Sequence, residues 1–361
     1  MSSLRTSPRA FLLLSRVTLV TVVLNVVSGA AVRLSDSGLG CPDWPTCSQH
    51  HLTPPLLLHP VIEFTNRVVV TLLVVAAAAS AVAALLRRPA RRDLRWLSAG
   101  LVAGVLAEAV VGGLVVYSKL DAWVVVGHFL VGMALLAVSA ELALRASHAG
   151  GAGTPIVARP VLRTSRLLLI LLVAALTAGA MTTGSGPHAG GKGAKRIPVA
   201  LADMARVHAE VVLAALAALL LLIWLLRRSD APARSQDRAV ALLAVMVAQG
   251  LVGYVQYFTH LPAALVGVHV LGACAVWVTA LWFHHGLTDH AAEPAAERGP
   301  VVEPVPRELV TTGAPPAAAT SVAAGTSVAA GTSVAAGTSV AAGTSVAAGG
   351  PAEARSLSEP A

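Results

Sequence analysis

Eight runs of about 20 apolar residues, parted by short charged or Gly/Pro-rich breaks, leave this chain little choice of fold. A run of that length crosses a hydrocarbon core of roughly 30 Å as an α-helix, which satisfies its own backbone hydrogen bonds where no water can. The breaks predict helices over 11–32, 61–86, 96–117, 122–145, 165–183, 202–226, 239–258 and 262–283. Only 12% of the 361 residues are charged and 56% are hydrophobic, against roughly 25% charged in soluble domains. The expected fold class is an all-α integral membrane protein with eight transmembrane helices. The first run follows Arg5 and Arg9 as a signal peptide would, but it is too long for a cleavable apolar region and reads as an uncleaved helix.

The excess of Lys and Arg, 26 against 18 Asp and Glu, raises nucleic acid as a partner, and its placement answers with a lipid bilayer instead. With the N-terminus inside, 16 basic residues fall in inner segments and seven in outer ones, which predicts a multi-pass protein of the cell membrane, N-in and C-in. Five copies of Thr-Ser-Val-Ala-Ala-Gly from Thr320 to Gly349 carry no large apolar residue to bury, so 286–361 is expected to be a disordered low-complexity tail.

Within the helices a repeat is visible. Glu108-Ala-Val-Val-Gly and Gln249-Gly-Leu-Val-Gly, Tyr117 to Leu120 and Phe258 to Leu261, and His128 and His269 all align at an offset of 141. This predicts two similar four-helix halves, 1–145 and 165–285, joined by an inner linker at 146–164.

His128, His208 and His269 all fall within the outer third of the membrane at about 1.5 Å rise per residue. Intramembrane histidines are costly without a partner. Three at similar depth, two of them repeat-equivalent, point to ligation of a heme iron, with His208 and His269 as a bis-His pair in one half. Glycines such as Gly112, Gly132, Gly253 and Gly272 could admit a macrocycle or simply allow close helix packing. The position expected to pair with His128 is Asn66, a poor iron ligand. Glu63 shares its helix face and either faces the same cavity or pairs with Arg67. Outside, Cys41 and Cys47 bracket a short Pro-containing loop and could form a structural clip or an exchange-active dithiol. Cys274 reads as packing, and His50, His51, His284 and His285 read as solvated or interfacial.

Taken together, Gly29-Ala-Ala-Val-Arg33-Leu-Ser-Asp-Ser-Gly38-Leu-Gly-Cys41-Pro-Asp-Trp44-Pro-Thr-Cys47, Glu63-Phe-Thr-Asn-Arg67, Gly184-Ser-Gly-Pro-His188 and the three histidines resemble the heme A synthase family over about residues 11–285. The resemblance implies oxidation of a methyl group of heme O, the substrate, to the formyl group of heme A. It implies a heme b cofactor on His208 and His269. The substrate heme would lie in the N-terminal half near His128, Asn66 and Arg67, with Glu63 in the reacting cavity as the catalytic residue. It further implies a functional Cys41–Cys47 pair, a heme O synthase as partner and a membrane electron donor, and leaves a homo-oligomer open. The family commonly has His where this chain has Asn66, so His128 is expected to be the one protein ligand of the substrate iron. A diheme electron carrier of the cytochrome b type would use the same histidines without explaining the cysteine loop or Glu63. A transporter would share the parallel repeats.

Overall fold

Ser7 starts the first helix by accepting a hydrogen bond from the Ala10 N–H, and Pro8 takes a first-turn position whose N–H has no helical partner anyway. The computed structural model describes residues 5–41, 47, 54–150, 153–191 and 193–290. Its helices are α1 (Pro8–Leu34), α2 (Leu58–Leu86), α3 (Arg92–Tyr117), α4 (Ala122–Ala146), α5 (Arg159–Ser185), α6 (Leu201–Arg228), α7 (Ala233–Phe258) and α8 (Ala263–His285). All eight are long and apolar enough to cross a membrane. Each overlaps an expected span and outruns it at one or both ends. The largest excess is at the starts of α5 and α7, where the polar turns Arg159–Arg163 and Ala233–Arg238 continue the helix beyond the apolar stretch. Hydropathy marks where a helix meets lipid, whereas caps and prolines mark where it begins.

The helices close into two rings. In the first, α1 packs on α2 and α4, and α3 fills the gap between α2 and α4. In the second, α5 packs on α6 and α8, and α7 lies between α6 and α8. Contacts of α8 with α1 and α4, and of α4 with α5, join the rings. All eight helices belong to one compact unit, and the repeat-bearing tail lies outside the described residues. Phe11, Leu73, Leu94, Leu136, Leu219 and Phe283 are among the fully buried core residues. Leu13, Leu72, Trp96, Leu106, Ile170 and Leu251 are each more than half exposed. Large apolar side chains on every outer face would be a liability in water and are matched to a bilayer.

The duplication reaches the backbone. Lys119 and Leu120 between α3 and α4 have φ of 53° and 63°, and His260 and Leu261 between α7 and α8, 141 residues on, have 64° and 61°. Left-handed backbone is uncommon in residues other than Gly and an outlier for a bulky one, so this is a shared device rather than a chance of composition. The bonds from Ser118 to Leu114, Lys119 to Val116 and Leu120 to Val115 recur as Thr259 to Val255, His260 to Tyr257 and Leu261 to Gln256. A two-residue antiparallel ribbon, β1 (Thr154–Pro155) with β2 (Thr288–Asp289), ties the linker to the end of α8. It is too short to leave a period in the sequence.

Candidate functional site

In the C-terminal half the rings of His208 on α6 and His269 on α8 face each other with centroids 6.3 Å apart and planes at 75°. The His208 Nδ1–H donates to the Ala175 carbonyl of α5 at 3.0 Å, which leaves its Nε2 lone pair free. His269 Nδ1 is buried without a hydrogen-bond partner among the described residues. Both rings lean on glycines: a Cβ at Gly179 would come within 3.0 Å of His208 Cε1, and one at Gly253 within 3.1 Å of His269 Cε1. Gln249 donates from Nε2 to the His269 carbonyl at 2.8 Å, and Gly272 leaves no room for a Cβ beside its Oε1. A metal ion between two imidazoles, about 2 Å from each nitrogen, sets their centroids about 6 Å apart. The facing pair therefore fits a bis-imidazole iron centre.

The N-terminal half repeats this frame with different chemistry. A Cβ at Gly112 would lie 3.4 Å from His128 Cε1, as one at Gly253 would lie against His269. Where Gln249 stands in the second half, Glu108 stands in the first, with Oε1 3.5 Å from His128 Nδ1. Glu108 is 8% exposed, and its other oxygen has no hydrogen-bond partner among the described residues. Gly132 adjoins the Glu108 carboxylate as Gly272 adjoins the Gln249 amide. Asn66 on α2 accepts at Oδ1 from the Ser28 hydroxyl of α1 at 2.7 Å, so it leans on α1 as His208 leans on α5.

Glu63 is 5% exposed, and both its oxygens are engaged. Oε2 accepts the Cys41 N–H at 2.8 Å and Oε1 accepts from the Arg67 guanidinium at 2.6 Å. Of the two arrangements the sequence left open, pairing with Arg67 is formed, and the cysteine loop is its second partner. Cys41 and Cys47 are joined as a disulfide and both are buried. Gly40 lets that loop touch α2, because a Cβ there would meet the His59 backbone at 2.7 Å. The residues between the cysteines, and with them Trp44, lie outside the described residues, as do His50 and His51. Free Cys274 is buried in α8, as expected for packing.

Two expectations need extension. Of the two expected settings, solvated or interfacial, His284 and His285 take the second: His284 Nδ1 meets the Ser165 hydroxyl at 2.7 Å, and His285 packs against Glu141, His148 and His290, because the ribbon folds the linker over the end of α8. Glu108 entered the sequence reading as a marker of the repeat and one of few intramembrane charges, not as a site residue. Its difference from Gln249 at the 141 offset was the signal that it faces an imidazole. Arg33 and His188 also acquire roles: Arg33 donates to the carbonyls of His188 at 2.7 Å and Thr183 at 3.0 Å, and the His188 Nε2–H donates to the Leu261 carbonyl at 2.8 Å. A cavity of about 640 Å³ opens at this end of the C-terminal half, lined by Pro187, Arg196, Leu201, Tyr257, Phe258 and Leu261 among others. Leu201 and Leu261 precede His208 and His269 by about two helical turns, so the cavity lies roughly 10 Å nearer the helix ends than the imidazoles.

The fold and the site define a class: duplicated eight-helix membrane proteins with imidazoles at repeat-equivalent positions and a disulfide loop capping one end. Within that class, residues 12–59 and 58–189 match the family model described as cytochrome oxidase assembly protein. A heme A synthase of Shewanella oneidensis is 56% identical over 41 residues, which span 11% of this chain and 12% of that protein. The resemblance to the heme A synthase family read from the motifs agrees with both similarities. The family match takes in the disulfide loop, Glu63, Asn66, Glu108, His128 and His188, and ends before His208 and His269.

Proposed function

We propose that this chain is a heme A synthase of the cell membrane, oxidising a methyl group of heme O to a formyl group. The observation that carries the reading is that one half pairs two imidazoles while its duplicate keeps the frame but exchanges an imidazole for Asn66 and an amide for Glu108. One half is thus fitted to hold a heme permanently and the other to hold one that reacts and leaves. His208 and His269 would hold heme b, which when bound supplies one-electron transfer. Conversion of methyl to formyl removes four electrons and adds one oxygen atom, so a membrane electron carrier and an oxygen donor act from outside the chain. The chain's own part is positioning and proton handling. His128 is the protein ligand for the substrate iron, and Glu108 is within reach of its Nδ1 to hold a proton there. Glu63, held beside the disulfide loop by the Cys41 N–H and Arg67, is the acid–base residue of the reacting cavity. In this reading the loop faces the outside, the N- and C-termini face the cytoplasm, and heme O arrives from a membrane-bound heme O synthase.

The deciding experiment is acid–acetone extraction of the protein purified after co-expression with a heme O synthase, with the hemes separated and identified by mass. Heme A beside heme B supports the synthase. Heme B alone, from cells with a heme O pool, indicates the electron carrier, and no heme of any kind overturns both.

Two predictions follow the geometry. Gly179→Ala and Gly253→Ala force an imidazole to move by a few tenths of an ångström and are expected to lower heme B per mole of protein, whereas Gly112→Ala, whose Cβ would meet His128 at 3.4 Å, is expected to be neutral. A pyridine hemochrome assay reads the difference. Asn66→His places an imidazole at the position expected to pair with His128, and is expected to convert the substrate heme to a six-coordinate low-spin spectrum without loss of bound heme. An unchanged spectrum with heme O bound would show that position 66 does not reach the iron.

A further inference from the structure

At the end of the bundle remote from the disulfide loop, three histidines from separate segments meet. His148 follows α4, His285 ends α8 and His290 follows β2. Their ring centroids are 4.2, 4.6 and 5.3 Å apart, and one nitrogen from each lies within 4.8 Å of the others. His148 is 8% exposed. His148 Nε2, His285 Nε2 and His290 Nδ1 are all buried without a hydrogen-bond partner among the described residues. Three orphaned nitrogens in one place are not explained by packing, since a buried polar atom left unpaired costs about 1–3 kcal/mol.

The opposite nitrogen of each ring is the one that has a neighbour. The Thr288 hydroxyl donates to the His285 carbonyl at 2.9 Å and so accepts from His290 Nε2 at 2.8 Å, which leaves the lone pair on His290 Nδ1. His285 Nδ1 faces the Glu141 carboxylate at 3.6 Å, which favours the proton there and the lone pair on Nε2. His148 Nδ1 takes a long 3.3 Å contact from the Gly150 N–H, and that contact must open for His148 to present its own lone pair at Nε2. His285 and His290, whose outer nitrogens are held by a carboxylate and a hydroxyl while their inner nitrogens are bare, have the arrangement of metal-ligating histidines. The three rings stack with planes 13° to 29° apart, so they would have to turn edge-on to converge on one ion. Burial, then the neighbouring His290, His285 and Arg91, push the His148 imidazole down to about 4, so it is neutral near pH 7. The nearby guanidiniums are already engaged: Arg91 by Asp93 and the His148 and Arg145 carbonyls, Arg145 by Glu141. Gly153 leaves no space for a Cβ beside the His290 ring, which lets the linker close over the cluster.

We propose that His148, His285 and His290 form a binding site for one divalent transition-metal ion of the zinc class, independent of any heme. Three imidazole donors select zinc, copper, nickel or cobalt over calcium or magnesium, whose ligands are oxygens. The bound ion would join the end of α4 to the end of α8 and close the linker over the bundle.

The test uses the full-length protein in detergent, without a histidine tag, stripped with EDTA and titrated with Zn²⁺. Bound zinc is measured by elemental mass spectrometry after gel filtration. Wild type and His284→Gln, a control on the same helix end, are expected to hold one zinc per chain. His148→Gln and His290→Gln are expected to bind at least about 10-fold more weakly, and Glu141→Gln about 10- to 100-fold. His290 lies beyond the last helix, so its substitution spares the bundle, and an unchanged circular dichroism spectrum verifies that. Zinc is expected to raise the Tm of wild type and not of His290→Gln. Equal zinc content in wild type and His290→Gln, or none in wild type, overturns the proposal.

Discussion

Replacing His269 by Ala is expected to remove heme b from the purified protein, with a fall of at least about 10-fold in heme B per mole. The ring is half-buried and makes its contacts inside the site, with His208 at 6.3 Å and Gly253 behind it. The residues that pack α8, Cys274, Trp277 and Phe283, are untouched, so the helix stays in place and the loss is one of ligation. His128→Ala in the other half is expected to leave heme B unchanged. If His269→Ala retained a low-spin heme B at wild-type level, the assignment of the two halves would be wrong.

The second large effect concerns Glu63. Its carboxylate accepts from Cys41 with one oxygen and from Arg67 with the other. Glutamine has the same shape but only one acceptor, so whichever way it turns its NH₂ faces a donor and strands a buried group, at about 1–3 kcal/mol. In Glu63→Gln the ratio of heme A to heme B is expected to fall about 100-fold, the usual scale for a lost acid–base group, with heme B itself unchanged. An unaltered ratio would reduce Glu63 to an anchor of the disulfide loop.

Much of the fold was legible because lipid imposes a length. Each apolar run reported a helix, and what escaped were helix ends: polar first turns such as Arg159–Arg163 and last residues such as Arg227 and Arg228. The repeat was legible because the turns between its helices have the same length and end on Leu120 and Leu261, with the same left-handed backbone. The His208 and His269 pair could be read because depth along a helix follows from counting. What could not be read depends on partners far apart in sequence. Glu63 carries no mark that one oxygen will reach a loop backbone, and His148, His285 and His290 have no common spacing. They meet only because a two-residue ribbon folds the linker back.

Parallel-repeat transporters work by rocking one half against the other. Here the halves are braced at three depths. Arg33 of α1 holds the loop after α5 near the disulfide end, the Trp277 indole of α8 donates to the Met133 carbonyl of α4 at 3.2 Å in the middle, and Glu141 of α4 faces His285 of α8 at the far end. Rocking would break all three together. A bundle stiffened in this way keeps whatever its two halves carry at a constant separation, which suits a relay in which electrons move and the scaffold stands still.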